Sequence, residues 1–135
     1  MRRADRPILH AVLCVACLLV GRRFSWPFEG TEFSEGLSTG RILWLHDMAL
    51  LLYVGAAVLA FVDRRFASAM ALSGCLLSLP LYFHEIAPGP FRAMFPGDYS
   101  VPLNGAFAWD ARALGSVATI MGLTVASMFV SRRAT

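Results

Sequence analysis

The sequence predicts an all-α integral membrane protein, a bundle of four transmembrane helices with ordered periplasmic loops. Of its 135 residues, 57% are hydrophobic, and the mean hydropathy of +0.60 exceeds what a soluble domain of this length needs for its core. The charged residues are confined to a few clusters. These clusters divide the chain into apolar stretches comparable with the roughly 20 helical residues that cross a bilayer.

The first predicted helix, about residues 7–26, has the shortest apolar stretch. The run from Ile8 to Val20 follows an Arg-rich beginning, as in a secretory signal peptide. However, Arg22 and Arg23 stand where the small residues of a cleavage site are expected. We therefore favour a retained helix over a cleaved signal, with both arginines reaching toward the lipid headgroups.

Three further helices are predicted at about residues 42–62, 66–86 and 108–130. The first two of these are joined by the short turn "DRRF", and Asn104 or Asp110 is a candidate N-cap for the last.

The two long connections, residues 27–41 and 87–107, contain many aromatic residues, which are scarce in disordered segments. We expect them to fold as a periplasmic cap. The tryptophans near them are expected in the aromatic belt of the membrane: Trp26, Trp44 and Trp109.

The arginines indicate the orientation of the bundle. Four spans place both termini and the short turn on one side of the membrane, with Arg2, Arg3, Arg6, Arg64, Arg65, Arg132 and Arg133. The other side carries Arg22, Arg23, Arg41, Arg92 and Arg112. Because basic residues favour the cytoplasmic side, we predict a multi-pass protein of the bacterial inner membrane with cytoplasmic termini. The arginines form no stripe with interleaved aromatic residues, so no nucleic-acid partner is expected.

Two histidines stand beside an acidic residue in apolar surroundings, in "WLHDM" and "YFHEI". Counted from the short turn, His46 and His84 lie at nearly the same height in neighbouring antiparallel helices. Small and polar residues form one row on the second helix, so His46 is expected to face the bundle interior: His46, Ala49, Tyr53, Ala56 and Ala60. His10, in the opening turn of the first helix, is expected at the opposite interface.

Imidazole is the commonest metal ligand, and its second ring nitrogen usually needs an acceptor such as Asp47 or Glu85. A b-type haem could lie between His46 and His84. Alternatively, a copper or zinc ion could be held by both histidines and one of the acids.

Two other interpretations of the histidines and their neighbours involve no metal ion. In the first, a quinone carbonyl accepts hydrogen bonds from a cluster near the membrane surface: Arg41, Trp44, His46 and Tyr82. In the second, each histidine bonds the neighbouring acid and fixes a helix end.

All three cysteines fall within predicted spans, where cysteine is typically a small apolar filler, and their odd number argues against a disulfide framework. Cys14 and Cys17, separated by two residues, lie on roughly one helix face and could bind a soft metal ion.

No motif of a hydrolase, a zinc protease or a nucleotide-binding enzyme is present in the sequence, so we expect a protein that is not an enzyme by itself. The last helix carries Ala118, Gly122 and Ala126 at intervals of four, a pattern that allows close helix packing. Such faces serve contacts inside the bundle, with membrane-protein partners or with a second copy. We favour a membrane subunit or accessory factor of a larger assembly; the alternative is a redox or metal-handling protein.

Overall fold

Long helices dominate the molecule. The structure, a computed structural model, describes residues 5–132, which form six α-helices and no strand. Four of the helices are long and apolar enough to cross a membrane: α1 (Asp5–Ser25), α3 (Leu37–Leu59), α4 (Arg64–Ile86) and α6 (Ala111–Arg132). The short helices α2 (Glu32–Glu35) and α5 (Pro88–Met94) lie in the connections. Four such helices are compatible with a polytopic membrane protein.

Two aspartates start the helices that follow the turns. The Asp63 carboxylate accepts hydrogen bonds from the backbone N–H groups of Arg65 (3.0 Å) and Phe66 (3.4 Å) at the beginning of α4. Asp110 does the same for Arg112 (2.9 Å) and Ala113 (3.4 Å) at the beginning of α6. Of the two residues considered as caps for the last helix, Asp110 is therefore the one that acts.

The four long helices form a bundle in which each helix packs mainly against two neighbours. Helix α3 packs against α4, α4 against α6, α6 against α1, and α1 against α3. The start of α1, the turn between α3 and α4, and the end of α6 meet at one end, where the Ser131 hydroxyl donates to the carbonyl of Arg64 (3.3 Å). We call this the terminal end, and the opposite end the cap end.

Small residues allow the helices to pack closely. The sequence predicted this from the row of small and polar residues on α3. All five members of that row, His46 to Ala60, are buried. On the facing helix, a Cβ added at Gly74 would lie 3.1 Å from the Ala49 carbonyl oxygen, a tight contact, so glycine favours this close approach of α3 and α4. Leu50, outside that row, is also buried, because it packs against Gly21 of α1.

The connections at the cap end fold against one another. A 3-10 turn at Trp26–Phe28 and helix α2 form the first connection, and α3 begins at Leu37, earlier than the predicted residue 42. Helix α5 and an extended stretch form the second. The Ser38 backbone N–H donates to the carbonyl of Asp98 (3.1 Å), and the Ser100 hydroxyl donates to that of Glu32 (3.3 Å). These bonds join the two connections into one layer.

Candidate functional site

His84, close to the end of α4, lies within a cluster of aromatic rings at the cap end. Its ring stacks on Tyr99 at a centroid distance of 5.8 Å and an interplanar angle of 12°. Phe33 and Phe91 contact it edge-on at 5.7 and 5.4 Å. These rings come from α2, α5 and the segment after α5, so His84 joins α4 to both connections. Only 4% of its surface is exposed.

Both ring nitrogens of His84 have protein partners. Arg92 Nε donates to Nε2 (3.3 Å), and Nδ1 lies 3.2 Å from a carboxylate oxygen of Glu85. A guanidinium group can only donate, so Nε2 is the acceptor and Nδ1 carries the hydrogen. A metal ion at Nε2 would have to displace Arg92.

Tyr99 completes this arrangement. The Arg92 guanidinium lies 4.5 Å from the centre of the Tyr99 ring, and the Tyr99 hydroxyl donates to the carbonyl of Phe95. Burial raises the pKa of Tyr99, although the charge of Arg92 acts in the opposite direction. The hydroxyl therefore remains a neutral donor at ordinary pH.

His46 has a different environment inside the bundle. It is fully buried, and its Nε2 lies 3.4 Å from the hydroxyl of Tyr82. The rings of Tyr82 and Phe24 lie 5.6 and 6.5 Å away. A Cβ added at Gly21 of α1 would come within 3.5 Å of the imidazole. Its Nδ1 is buried without a hydrogen-bond partner among the described residues.

No hydrogen bond or ring contact joins His46 directly to His84 in the described part of the chain. Instead, rings connect their surroundings: Phe24 contacts Phe28 (5.5 Å), and Phe28 contacts Phe33 (4.8 Å). Within residues 5–132, no group of three or more His, Cys, Asp and Glu side chains could hold a metal ion. A haem or metal role for the histidine pair stays a prediction.

The residues predicted to assist His46 and His84 in binding a metal ion or a quinone do not form one cluster. Glu85 bonds the histidine next to it, whereas one carboxylate oxygen of Asp47 is buried without a hydrogen-bond partner among the described residues. Of the four residues considered for a quinone, only His46 and Tyr82 contact each other. Arg41 and Trp44 are exposed.

Cys14 and Cys17 are buried, free and directed to different partners. The Cys14 sulfur lies 3.7 Å from Nδ1 of His10, whereas the Cys17 sulfur lies 3.8 Å from the hydroxyl of Thr124. The Thr124 hydroxyl in turn lies 2.8 Å from that of Tyr53. This small polar cluster of Cys17, Tyr53 and Thr124 joins α1, α3 and α6, and sequence reasoning missed it.

The side chain of His10 is only 3% exposed, and its location at the membrane interface stays a prediction. It is enclosed near the terminal end, where it lines a small void together with Arg6, Arg64 and Ser131. Nε2 of His10 and one terminal nitrogen of Arg6 are buried there without a hydrogen-bond partner among the described residues.

The outer face of α6 is uncovered. Gly115, Ala118 and Gly122 are exposed, and a Cβ added at either glycine would meet no atom within 4 Å. In the most apolar 18-residue stretch of α6, 22% of residues are buried, against 39% in α3 and in α4. The opposite face of α6 packs against the bundle and carries the buried residues Ile120, Thr124 and Ser127. Most of the predicted packing row of α6 therefore points out of the bundle.

A cleft of about 540 Å³ lies at the cap end between α3, α4 and α5. Its walls are apolar, and Arg41, Ser38 and Tyr99 supply its polar groups. The sequence analysis did not predict this cleft. The feature that could have indicated it is Arg41, a charged residue at the edge of an apolar segment.

Comparisons of the chain with protein-family models, curated proteins and solved structures found no match. The uncovered face of α6 and the cleft are consequently the features on which a functional interpretation depends.

Proposed function

We propose that this protein is a membrane subunit or accessory factor, and that it joins a larger assembly through the outer face of α6. The observation that supports this proposal is the exposed row of Gly115, Ala118 and Gly122 on a helix long and apolar enough to cross a membrane. In lipid, helices associate chiefly by close backbone packing, which small residues permit. A lipid-facing surface has no need of such residues.

The location of Gly115 and Gly122 within helix α6 supports the proposal further. Glycine costs about 1 kcal/mol relative to alanine in a helix interior. At Gly21 and Gly74 that cost has a packing reason, because an added Cβ would collide with Leu50 at Gly21 and would be tightly packed against Ala49 at Gly74. At Gly115 and Gly122 no neighbour within the described chain supplies a reason. A helix from another protein chain would.

The test is copurification from native membranes in a mild detergent. A tagged wild-type chain is expected to retain a partner at fixed stoichiometry, and Gly122→Leu is expected to lose it. Ala69→Leu is the matched control, because Ala69 is a small exposed residue on α4. Gly122→Cys and Ala69→Cys supply a second measurement by oxidative crosslinking in the membrane.

Partner retention by Gly122→Leu, or equal crosslinking yields at the two positions, would contradict the proposal. A disulfide-linked product of twice the chain mass would identify the partner as a second copy. A wild-type chain that purifies alone, without crosslinks at Gly122→Cys, would overturn it.

The second candidate function is haem, copper or zinc binding at His46 and His84. It is favoured by one observation, the buried and unpartnered Nδ1 of His46. If haem binds, the purified protein will show a Soret band that His46→Ala abolishes, and metal analysis of the same samples tests copper and zinc. Colourless, metal-free wild-type protein would remove this candidate.

A further inference from the structure

The cleft between α3, α4 and α5 combines an apolar interior with one unpaired cation. Leu45, Leu79 and Phe83 contribute to walls in which apolar surface strongly predominates. Its volume of about 540 Å³ falls within the roughly 300–1,000 Å³ typical of small-molecule sites. Leu76 and Phe95 at its edge are exposed, so the cleft opens to the outside of the bundle.

Arg41 is the charged group of this cleft that has no partner. No hydrogen bond, ion pair or ring contact joins it to another residue of the described chain. The other cation nearby, Arg92, is engaged with His84 and with the Tyr99 ring. Asp98 approaches Ser38 only through its backbone carbonyl and forms no ion pair with Arg41. An anion at this end of the cleft would therefore meet an available guanidinium group.

The position of Arg41 matches that of a lipid headgroup. It lies in the early turns of α3, beside the cap end, whereas the apolar walls extend from it along α3 and α4. One further donor lies near the same end, the hydroxyl group of Ser38, whereas the Tyr99 hydroxyl already donates to the carbonyl of Phe95. A molecule that fills the cleft thus needs a long apolar chain and an acidic group at one end.

We propose that the cleft binds an anionic phospholipid of the surrounding bilayer, with an acyl chain between α3 and α4 and the phosphate on Arg41. Guanidinium groups bind phosphate by two parallel hydrogen bonds, which fix the orientation of the headgroup. The bound lipid would fill the space below α5 and hold the cap against the membrane-spanning helices.

The test is native mass spectrometry of the full-length protein, titrated with phosphatidylglycerol and with phosphatidylcholine of identical acyl chains. The wild type is expected to bind phosphatidylglycerol about fivefold more tightly, as one favourable cationic contact provides. Arg41→Gln is expected to remove that preference. Arg65→Gln is the matched control, since Arg65 is an exposed arginine at the opposite end of the bundle.

A second variant tests the acyl chain separately. Leu79→Trp fills the cleft and is expected to weaken binding of both lipids, whereas Leu51→Trp, on an exposed position of α3, leaves it unchanged. Equal affinity of the wild type for both lipids, or equal losses in Arg41→Gln and Arg65→Gln, would overturn the proposal. So would a retained mass that corresponds to a fatty acid or a quinone.

Discussion

A buried histidine needs partners for both ring nitrogens, and His46 and His84 meet this requirement differently. His84 has Glu85 and Arg92 as partners and three aromatic rings around it. His46 has only Tyr82, at 3.4 Å. At the residue scale, His84 is consequently a structural link between α4 and the cap, and His46 is the one with bonding capacity left.

Replacement of His84 should therefore destabilise the protein without any cofactor being involved. In His84→Ala, the Arg92 guanidinium loses its acceptor, and we expect the free energy of unfolding to fall by about 1–3 kcal/mol. The unfolding midpoint in detergent measures this change. His84→Phe is the control: it keeps the ring contacts with Phe33 and Phe91 and should recover part of the loss. An unchanged midpoint in His84→Ala would contradict the structural role.

Two glycines should respond in opposite ways to the same substitution. A Cβ at Gly21 would lie 2.6 Å from a methyl carbon of Leu50, so Gly21→Ala forces that side chain to move and should cost about 1–3 kcal/mol. Gly122→Ala meets no atom within 4 Å and should stabilise the isolated chain by up to about 1 kcal/mol. Thermal unfolding of both variants tests the difference. Stabilisation by Gly21→Ala would show that α1 and α3 are less close than these distances indicate, and destabilisation by Gly122→Ala would show that this face of α6 is not open.

At the scale of elements, the polar cluster of Cys17, Tyr53 and Thr124 connects three helices whose sequences give no sign of the connection. The three residues are far apart in the chain, and each is an unremarkable member of an apolar segment. Side-chain hydrogen bonds between membrane helices are worth about 0.6 kcal/mol on average and up to about 1.7 kcal/mol. The cluster therefore fixes the register of α6 more than it determines total stability.

Thr124→Val removes the hydroxyl from this cluster while keeping the shape of the side chain. We expect a loss of about 1 kcal/mol, because the buried Tyr53 hydroxyl then lacks its hydrogen-bond partner. Thr119→Val on the same helix is the control. The Thr119 hydroxyl is exposed and donates only to the carbonyl of Gly115 within α6 (2.7 Å). Equal destabilisation of the two variants would show that the cluster is not a helix-to-helix link.

The beginning of α3 shows why an apolar run is a poor guide to a helix boundary. The sequence predicted a start at residue 42, because Arg41 ends the apolar stretch. The helix instead begins at Leu37, where the Gly40 N–H already donates to the Gly36 carbonyl (2.6 Å). Hydropathy marks where lipid contact begins, whereas backbone hydrogen bonding decides where a helix begins. The additional turns place Arg41 on the helix itself, at the cleft.

For the molecule as a whole, the membrane orientation is a prediction with a direct measurement. A reporter that works only in the cytoplasm should be active when it is fused after residue 135. A reporter that works only in the periplasm should be active when it is inserted in the second connection. The reason is the predicted excess of arginines on the side of the termini and the short turn, a prediction of the sequence in which Arg2, Arg3 and Arg133 lie outside the described residues. The reverse reporter pattern would place the lipid cleft on the cytoplasmic side.

The sequence alone determined the number of long helices, their antiparallel succession and the face of α3 that is buried. These properties follow from local composition, since an apolar segment of sufficient length must satisfy its own backbone hydrogen bonds and a row of small residues marks close contact. Hydrogen bonds join the two aromatic connections at the cap end, whereas a periplasmic cap stays a prediction.

Only the tertiary structure decided which partners each polar side chain has and which small-residue face is left uncovered. His46 and His84 share a predicted height, yet one is bonded within the bundle and the other within the cap. The row on α6 resembles that on α3 in sequence, yet most of it points outward. Both outcomes depend on the rotation of each helix about its own axis. That rotation is set by contacts with all neighbouring helices together, which no single segment encodes.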